Sequence, residues 1–220
     1  MANITVTRIT DSDTRERAFT VIDEVYYNEK NWINSTTMEI PENINEIDKV
    51  SWFLAEINGE PAGVIRLVYD PSLEFPEHFK VTLNKNIDVE KLVKNAKLVD
   101  IGRFMIRPKF RRNIRIAIRL MRSAIKEVIE RGYTHFITDV FENEPNSPYK
   151  FHTRILGFEV IGTHLHGELN CSCTRIILTL DILGNYARIR DKKNAFFNEV
   201  TKGIRYLLDS KLDAYTGKKN

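Results

Sequence analysis

The stretch from residue 97 to residue 141 constrains the fold more than any other part of the sequence. KLVDIGRFMI (97–106) is typical of a strand, and Pro108 ends it. The segment 112–130 carries one apolar stripe at helical spacing, formed by Ile114, Ile118, Met121, Ile125, Val128 and Ile129. THFITDVF (134–141) is again typical of a strand. This order predicts two parallel strands joined by a right-handed crossover.

The other segments predict a sheet that is mostly antiparallel around this unit. Residues 51–57 and 62–69 flank the turn Asn58-Gly59-Glu60-Pro61, which predicts a β-hairpin. Further strands are expected at 3–8, 158–162 and 174–182, and helices at 11–27 and within 143–156. The predicted fold class is therefore α/β of the α+β kind. It has a mixed, mostly antiparallel central sheet, a parallel strand–helix–strand core and flanking helices.

The two parts of the chain differ in their predicted secondary structure. Residues 1–182 contain all the predicted strands and are expected to form one domain, since a domain has about 100–200 residues. The tail, 183–220, predicts an extra C-terminal helix packed on that domain. Its apolar residues recur at helical spacing and are Phe196, Val200, Ile204, Leu207, Leu208 and Leu212.

Charge and cysteine content exclude several classes of protein. The net charge of +3 is too small to indicate a nucleic-acid-binding protein. No apolar run approaches the roughly 18 residues of a membrane span, and the N-terminal residues lack an apolar signal region. Two cysteines cannot supply a disulfide framework. We therefore expect a cytoplasmic protein.

The turn between the strand at 97–106 and the following helix is the strongest candidate for a binding site. Residues 101–126 contain nine basic residues and no acid, which predicts a local positive field. The first turn of a helix also presents unpaired N–H groups and partial positive charge, both of which favour a phosphate. The segment 107–117 is thus a candidate cradle for a pyrophosphate or a phosphopantetheine phosphate. The alternative is a solvated helix face.

This turn resembles the one found in GNAT-type acyltransferases. That superfamily carries Arg/Gln-x-x-Gly-x-Gly/Ala here, and this chain has Arg112-Asn113-Ile114-Arg115-Ile116-Ala117. Arg115 replaces the central glycine, which counts against an ordinary coenzyme A site. The segment HTRILGFEVIG also resembles an element that precedes a strand in the superfamily.

A closer resemblance is to the branch that contains the acyl-homoserine-lactone synthases and the long-chain N-acyl amino acid synthases. FLAEINGEPAGVIRLV (53–68) is similar to their hairpin and places the family arginine at Arg66. VDIGRFMIRPKFRR (99–112) resembles their Glu-x-Ser-Arg-Phe strand, with Asp100 at the glutamate position. Arg15 and Phe19 match a pair in the first helix, and FHTRILGFE (151–159) matches a later motif with His152 at a tyrosine position. The synthases also carry an acidic pair before the hairpin, and Asp48 is its nearest equivalent in this chain.

The resemblance implies an N-acyltransferase and assigns provisional roles. Asp100 is the candidate base, with an ion pair to Arg66 or Arg103 as the alternative. Backbone N–H groups near Phe104 to Ile106 are the candidate oxyanion donors. His152 is the candidate acid for the leaving thiolate, and the alternative is a surface histidine at a helix end. Arg66 and Arg103 are the candidates for orienting an acceptor carboxylate; their alternative is pairing with Asp70, Asp100 or Glu56.

The donor and the partners follow from the same resemblance. The donor is expected to be an acyl-carrier-protein phosphopantetheine thioester or acyl-CoA, and the acceptor a small-molecule amine, in particular an amino acid. The donor-binding residues are Arg107, Arg111, Arg112, Asn113, Ile114, Arg115, Ile116 and Ala117. An acidic acyl carrier protein would dock on the Arg107–Arg122 surface. The polar segments 28–49 and 71–96 are candidate walls of an acyl tunnel.

Two other functions remain open at this point, and one kind of site is not expected. The chain would alternatively be an acetyl-CoA-dependent N-acetyltransferase, or a non-catalytic GNAT-fold binding protein; an acid at position 100 counts against the latter. Cys171 and Cys173 lie near His164 and His166, but structural zinc sites usually have two ligand pairs separated by a longer loop. We therefore expect no metal.

Overall fold

A single mixed sheet runs through the chain. The computed structural model describes residues 3–73, 77–144, 147–171, 173–192 and 194–216. Within them, eight strands lie in the order β1-β2-β3-β5-β6-β8-β7-β4. Their bounds are β1 Ile4–Arg8, β2 Val50–Ile57, β3 Glu60–Tyr69, β4 Thr82–Leu83, β5 Leu98–Ile106, β6 His135–Phe141, β7 Glu159–His164 and β8 Arg175–Asp181.

Helices cover both faces of this sheet. The α-helices are α1 Ser12–Ile22, α2 Val89–Asn95, α3 Ile114–Glu130, α4 Ile182–Ile189, α5 Ala195–Thr201 and α6 Arg205–Thr216. Two segments are wound as π-helix, Asp23–Glu29 directly after α1 and Phe151–Leu156 before β7. Short 3₁₀ turns are found at Ile44–Glu46, Glu77–Phe79 and Pro108–Phe110.

The strand–helix–strand unit forms as predicted. β5 and β6 pair in parallel and α3 connects them, whereas the other strand pairs in the described residues are antiparallel. The predicted hairpin is β2 and β3, with Asn58 and Gly59 both at positive φ. This backbone is the one that a two-residue hairpin turn requires. The fold is thus of the predicted mixed, mostly antiparallel α/β class.

Each face of the sheet has its own apolar core. On one face, α3 packs Ile116 and Leu120 against Ile65 and Leu67 of β3, and all four are buried. On the other face, α1 packs Val21 against Val64 of β3 in a second buried cluster. Residues of one strand alternate between these faces, so β3 and β5 contribute to both cores.

The C-terminal tail differs from the single helix predicted. It forms three short helices, α4 to α6, which share the α3-side core through Tyr186, Phe197 and Leu208. The Asn194 side chain accepts a hydrogen bond from Phe197 N at 3.0 Å and starts α5 anew, and Gly203 at φ +79° separates α5 from α6. Local caps therefore divide a segment whose apolar spacing is helical throughout.

The two polar segments, 28–49 and 71–96, pack against the sheet and its helices. Ile33, Ile40 and Ile44 of the 28–49 segment are buried in the α1-side core. In the 71–96 segment, β4 pairs with β7, and Leu83 packs against a small cluster on β6, β7 and β8. Residues 74–76 of that segment lie outside the described residues.

In the described part of the chain, we find no helix with the length and apolar character needed to cross a lipid bilayer.

Candidate active site

A bulge in β5 creates the centre of the candidate site. Opposite β5, Val64 faces Met105 while Arg66 faces Gly102, so β5 has one residue more than β3 between these two pairs. Arg103 lies in this interval with φ +48°, a left-handed conformation that is unusual for a residue with a side chain. Such a bulge bends the strand and redirects its side chains.

β5 and β6 separate where the bulge begins. Their parallel pairing covers only Leu98–Asp100 against His135–Ile137. One residue further along, the Thr138 hydroxyl of β6 donates a hydrogen bond to the Ile101 carbonyl of β5 at 2.7 Å. From Gly102 to Ile106, the β5 edge that faces β6 has no strand partner in the described residues. An extended ligand can hydrogen-bond to an open edge of this kind as an added strand does.

Asp100 stands at the last paired position before this opening, beside Ile137. Its Oδ2 lies 3.4 Å from Arg66 Nη2, which confirms the ion pair that was the alternative to a catalytic role. Burial nevertheless raises the pKa of Asp100 to about 6. The nearby acids Asp139 and Glu168 act in the same direction, and the charges of Arg66 and Arg103 oppose it. The Asp100 side chain is 29% exposed, so a bound substrate can reach its carboxylate. A carboxylate with this pKa can accept a proton near neutral pH.

Arg66 and Arg103 converge beside Asp100 and share a carboxylate. Glu168 Oε2 lies 3.1 Å from Arg103 Nη2 and 3.6 Å from Arg66 Nη1. Arg103 also donates from Nε to Glu39 Oε2 at 2.7 Å. The two guanidinium groups thus form a site for a carboxylate, and a side chain of the 165–173 segment occupies that site.

The other partners considered for these arginines are wrong. Asp70 accepts a hydrogen bond from the Tyr133 hydroxyl at 2.7 Å, and Glu56 pairs with Arg17. The Asp48 backbone carbonyl accepts a hydrogen bond from Arg131, and the acid that pairs with Arg103 is Glu39. Glu39 lies in the middle of the 28–49 segment. The sequence analysis missed Glu39 and Glu168 because both lie in irregular segments that have no helical or strand periodicity.

A second carboxylate, Asp139, lies on β6 on the same face of the sheet as Ile137. Its Oδ2 is 3.1 Å from His164 Nε2 and 3.5 Å from Arg175 Nη1. Although burial opposes ionisation, the His164 hydrogen bond and the Arg175 charge lower the pKa of Asp139 below its ordinary value. The environments of Asp100 and Asp139 therefore push their pKa values in opposite directions, a pattern typical of acid–base sites. In the sequence, Asp139 could have been singled out because it is the one acid inside the apolar strand THFITDVF.

His152 lies apart from these charges. It is buried, its Nδ1 contacts the Pro148 carbonyl at 2.9 Å, and its ring packs edge-to-face on Phe151 and Phe158. The alternative of a surface histidine is therefore wrong. Burial lowers the pKa of His152, which reduces its protonated fraction at neutral pH. None of these contacts involves the Asp100 group, and the role as thiolate acid stays a prediction.

The positive field at the start of α3 is weaker than the sequence count implies. Other segments supply the missing acids: Arg107 pairs with Glu24 and Glu60, Lys109 with Glu60, and Arg111 with Glu29 at 2.5 Å. Counting charges along 101–126 could not show these partners, because they are distant in sequence. In the described residues, Arg112 and Arg115 are exposed and have no ion pair.

The first turn of α3 is only partly available to a ligand. Asn113 caps the helix, and its Oδ1 accepts from Arg115 N at 3.3 Å. Ile116 N donates to the Asn113 carbonyl at 3.1 Å. Ile114 is exposed, whereas the side chains of Ile116 and Ala117 point into the core. Of the predicted donor-binding residues, Arg112 and Arg115 therefore offer free side-chain charge, and Ile116 and Ala117 offer none.

The comparison with known families decides what kind of protein carries this site. The family model of the N-acyl amino acid synthase FeeM matches residues 17–173, well over half of the chain. The chain belongs to this family. It is accordingly an N-acyltransferase, as the resemblance in its motifs implied. No curated protein sequence matches the chain.

Solved structures agree on the fold of this N-acyl amino acid synthase family member. FeeM, an N-acyl amino acid synthase from uncultured soil microbes, is 14% identical with a TM-score of 0.62, and the match covers 85% of this chain and 95% of FeeM. The ribosomal-protein-S18-alanine N-acetyltransferase of Escherichia coli is 14% identical with a TM-score of 0.53, covering 82% and 94%. The NatC complex bound to Gag peptide and CoA is 16% identical with a TM-score of 0.53, covering 80% and 98%. The fold is the GNAT fold.

Proposed function

We propose that this N-acyltransferase moves an acyl group from a phosphopantetheine thioester to the amino group of an amino acid. The observation that carries the proposal is the juxtaposition of the open β5 edge with Asp100, whose pKa is raised to about 6. The edge offers backbone groups to the amides of a pantetheine arm. The carboxylate stands where the arm's reactive end would meet an amine.

In the proposed reaction, the amine nitrogen attacks the thioester carbonyl carbon. Asp100, directly or through a water, takes the proton that the amine loses as the C–N bond forms. Backbone N–H groups between Phe104 and Ile106 stabilise the oxyanion. The C–S bond then breaks, and the thiolate takes a proton from protonated Asp100, or from His152, in which case Asp100 releases its proton to solvent and His152 regains one from solvent. The products are an amide and a free thiol, and the protons balance.

The acceptor is proposed to be an amino acid because of the paired guanidinium groups. Arg66 and Arg103 already hold the Glu168 carboxylate between them, beside Asp100. A carboxylate of similar size on the acceptor would fit the same donors and place its amine near the base. The acceptor must then displace Glu168, whose side chain is 64% exposed and lies on the irregular segment before β8.

For the donor, we propose an acyl carrier protein in preference to free coenzyme A. Arg115 stands in place of a glycine at the first turn of α3, and Arg112 and Arg115 are the exposed, unpaired bases there. An acidic carrier surface can pair with exposed bases without close backbone approach. The second candidate is an acetyl-CoA-dependent N-acetyltransferase. The observation that favours it is the shared fold with acetyltransferases, one of them solved with CoA bound.

A donor panel tests the proposal. Purified protein would be incubated with acetyl-CoA, long-chain acyl-CoA or long-chain acyl-carrier protein, each with a mixture of amino acids. Mass spectrometry of the products identifies both acyl group and acceptor. The proposal expects N-acyl amino acids with the acyl-carrier donor as the best substrate. Turnover with acetyl-CoA alone would favour the second candidate, and donor binding without any amide product would favour a non-catalytic protein.

A further inference from the structure

Two cysteines and a glutamate meet next to the candidate active site. One ligand atom each of Glu144, Cys171 and Cys173 lies within 4.8 Å of the other two. The sheet explains the meeting: Glu144 follows β6, the cysteines precede β8, and these antiparallel neighbours pair Phe141 with Arg175 at that end. All three residues are half-buried.

We propose that Cys171, Cys173 and Glu144 form a binding site for a thiophilic divalent metal ion of the Zn²⁺ class. Two thiolates and one carboxylate are ligands that Zn²⁺ accepts, and solvent would supply the fourth. Zn–S bonds of about 2.3 Å hold two sulfurs less than about 4 Å apart, so metal binding calls for side-chain adjustment of at most about 1 Å. On binding, each thiol loses a proton to solvent and forms a metal–sulfur bond. This proposal does not depend on the proposed function.

The surroundings of the cluster suit a bound cation. Two thiolates and a carboxylate carry three negative charges, so with a divalent ion the site has a net charge of −1. Lys30 Nζ lies 2.5 Å from Glu144 Oε2, and its positive charge neutralises that excess. That contact leaves Oε1 for the metal. Cys173 N donates to Cys171 Sγ at 3.4 Å, which is the kind of outer hydrogen bond that supports metal ligands.

The histidines considered from the sequence do not take part. His164 Nδ1 contacts the His166 carbonyl at 2.8 Å, and its Nε2 contacts Asp139. These contacts direct the His164 ring toward the acid–base group. The ligand that the sequence did not reveal is Glu144, which is distant in the chain from both cysteines. The proposed ligands are therefore two cysteines and a glutamate, and not the two cysteines and two histidines considered from the sequence.

A metal here would fasten the segment that carries Glu168. The Leu169 carbonyl accepts from Arg175 Nη2 at 2.9 Å, and Asn170 N donates to the Trp32 carbonyl at 2.8 Å. The ion would add a further tie, between this segment and the end of β6. Its proposed role is structural, with no part in the acyl transfer.

Cobalt titration of the reduced, chelator-stripped protein tests the site. Co²⁺ should bind with one equivalent, produce the near-ultraviolet absorption of a thiolate–cobalt bond, and be displaced by one equivalent of Zn²⁺. The double variant Cys171→Ser with Cys173→Ser should abolish the absorption. Glu144→Gln should weaken Zn²⁺ binding at least tenfold, which is about 1.4 kcal/mol. Glu142→Gln, an exposed carboxylate two residues earlier, is the matched control and should bind as the parent does.

A second measurement keeps the test independent of how the variants fold. In the parent protein, Zn²⁺ should slow alkylation of both thiols by iodoacetamide, and Mg²⁺ should not. Absence of the thiolate absorption, or equal alkylation with and without Zn²⁺, overturns the proposal. Unchanged Zn²⁺ affinity in Glu144→Gln overturns the three-ligand site.

Discussion

At the scale of single residues, the candidate site depends on how charged side chains of both signs are arranged around Asp100. Asp100 is held beside Arg66, yet burial and the neighbouring acids Asp139 and Glu168 raise its pKa to about 6. An ion pair alone would lower the pKa of an aspartate. The opposite direction here distinguishes Asp100 from a purely structural partner of Arg66.

Replacement of Asp100 by Asn should separate chemistry from binding. We expect kcat to fall by about 10²–10⁴-fold, as for loss of a general base, with little change in donor affinity. In the parent enzyme, the base must be deprotonated, so the rate should rise with pH up to about 6 and then level off. Steady-state kinetics between pH 5 and 8 measure both effects.

The control for this variant is Asp70→Asn, an exposed acid at the end of β3 that pairs with Tyr133. It should leave kcat and the pH profile unchanged. If Asp100→Asn keeps the parent's kcat, or keeps the inflection near pH 6, Asp100 is not the base.

Glu168 makes a prediction of the opposite sign. Because its carboxylate occupies the space between Arg66 and Arg103, Glu168→Gln should free both for the acceptor. We expect KM for the amino acid to fall by about 3–10-fold, equivalent to about 1 kcal/mol, with kcat unchanged. Glu159→Gln, an exposed acid on β7, is the control. A higher KM in Glu168→Gln would mean that Glu168 helps to bind the acceptor.

At the scale of elements, the start of α3 is where a donor would bring its phosphate. Arg107, Lys109 and Arg111 are already paired with acids of other segments, so the donor's negative charge meets chiefly Arg112 and Arg115. The proposed docking surface is therefore narrower than the nine bases of the sequence predict. It is also more sensitive to substitution at these two positions.

Charge reversal of Arg112 and Arg115 to Glu should raise KM for an acyl-carrier donor at least tenfold at low salt. The effect should shrink as salt increases, since salt screens exposed charges. The measurement is KM against ionic strength. Reversal of Lys192 and Lys202, exposed bases between the C-terminal helices, is the matched control. Equal effects of the two double variants would place the docking surface elsewhere.

The C-terminal helices are predicted to be part of the core and not an accessory. Leu208 of α6 is 1% exposed and lies in the same cluster as Met121 of α3. Leu208→Ala should lower the free energy of unfolding by about 2–5 kcal/mol, as measured by urea denaturation. Tyr206→Ala, an exposed neighbour, should change it by less than about 0.5 kcal/mol. Similar values for both variants would show that α6 is not packed as described.

At the scale of the whole molecule, the sequence predicted the architecture because periodicity is a local signal. The helix α3, the Asn58-Gly59 turn and the parallel β5–β6 pair form as expected. Ile114, the first residue of the predicted apolar stripe, is exposed because it lies at the start of α3 on the side away from the core. Capping divided the tail into three helices, which apolar spacing alone does not reveal.

The site was less predictable than the fold. Asp100, Arg66 and Arg103 were found through their strands and do converge. Glu39, Glu168 and Asp139 were not found, because they come together only when three distant segments fold against the sheet. The charge count at α3 failed for the same reason. Contacts between segments distant in sequence decide which charges stay free, and one sequence does not record them.

The central claim is that the open edge of β5 receives the thioester arm beside Asp100. A crystal structure with a non-hydrolysable acyl-pantetheine analogue tests it most directly. The account predicts that the amides of the arm hydrogen-bond to β5 between Gly102 and Ile106, with the analogue's carbonyl oxygen facing the N–H groups of Phe104 to Ile106. An analogue bound elsewhere, with β5 and β6 paired along this stretch, would contradict it.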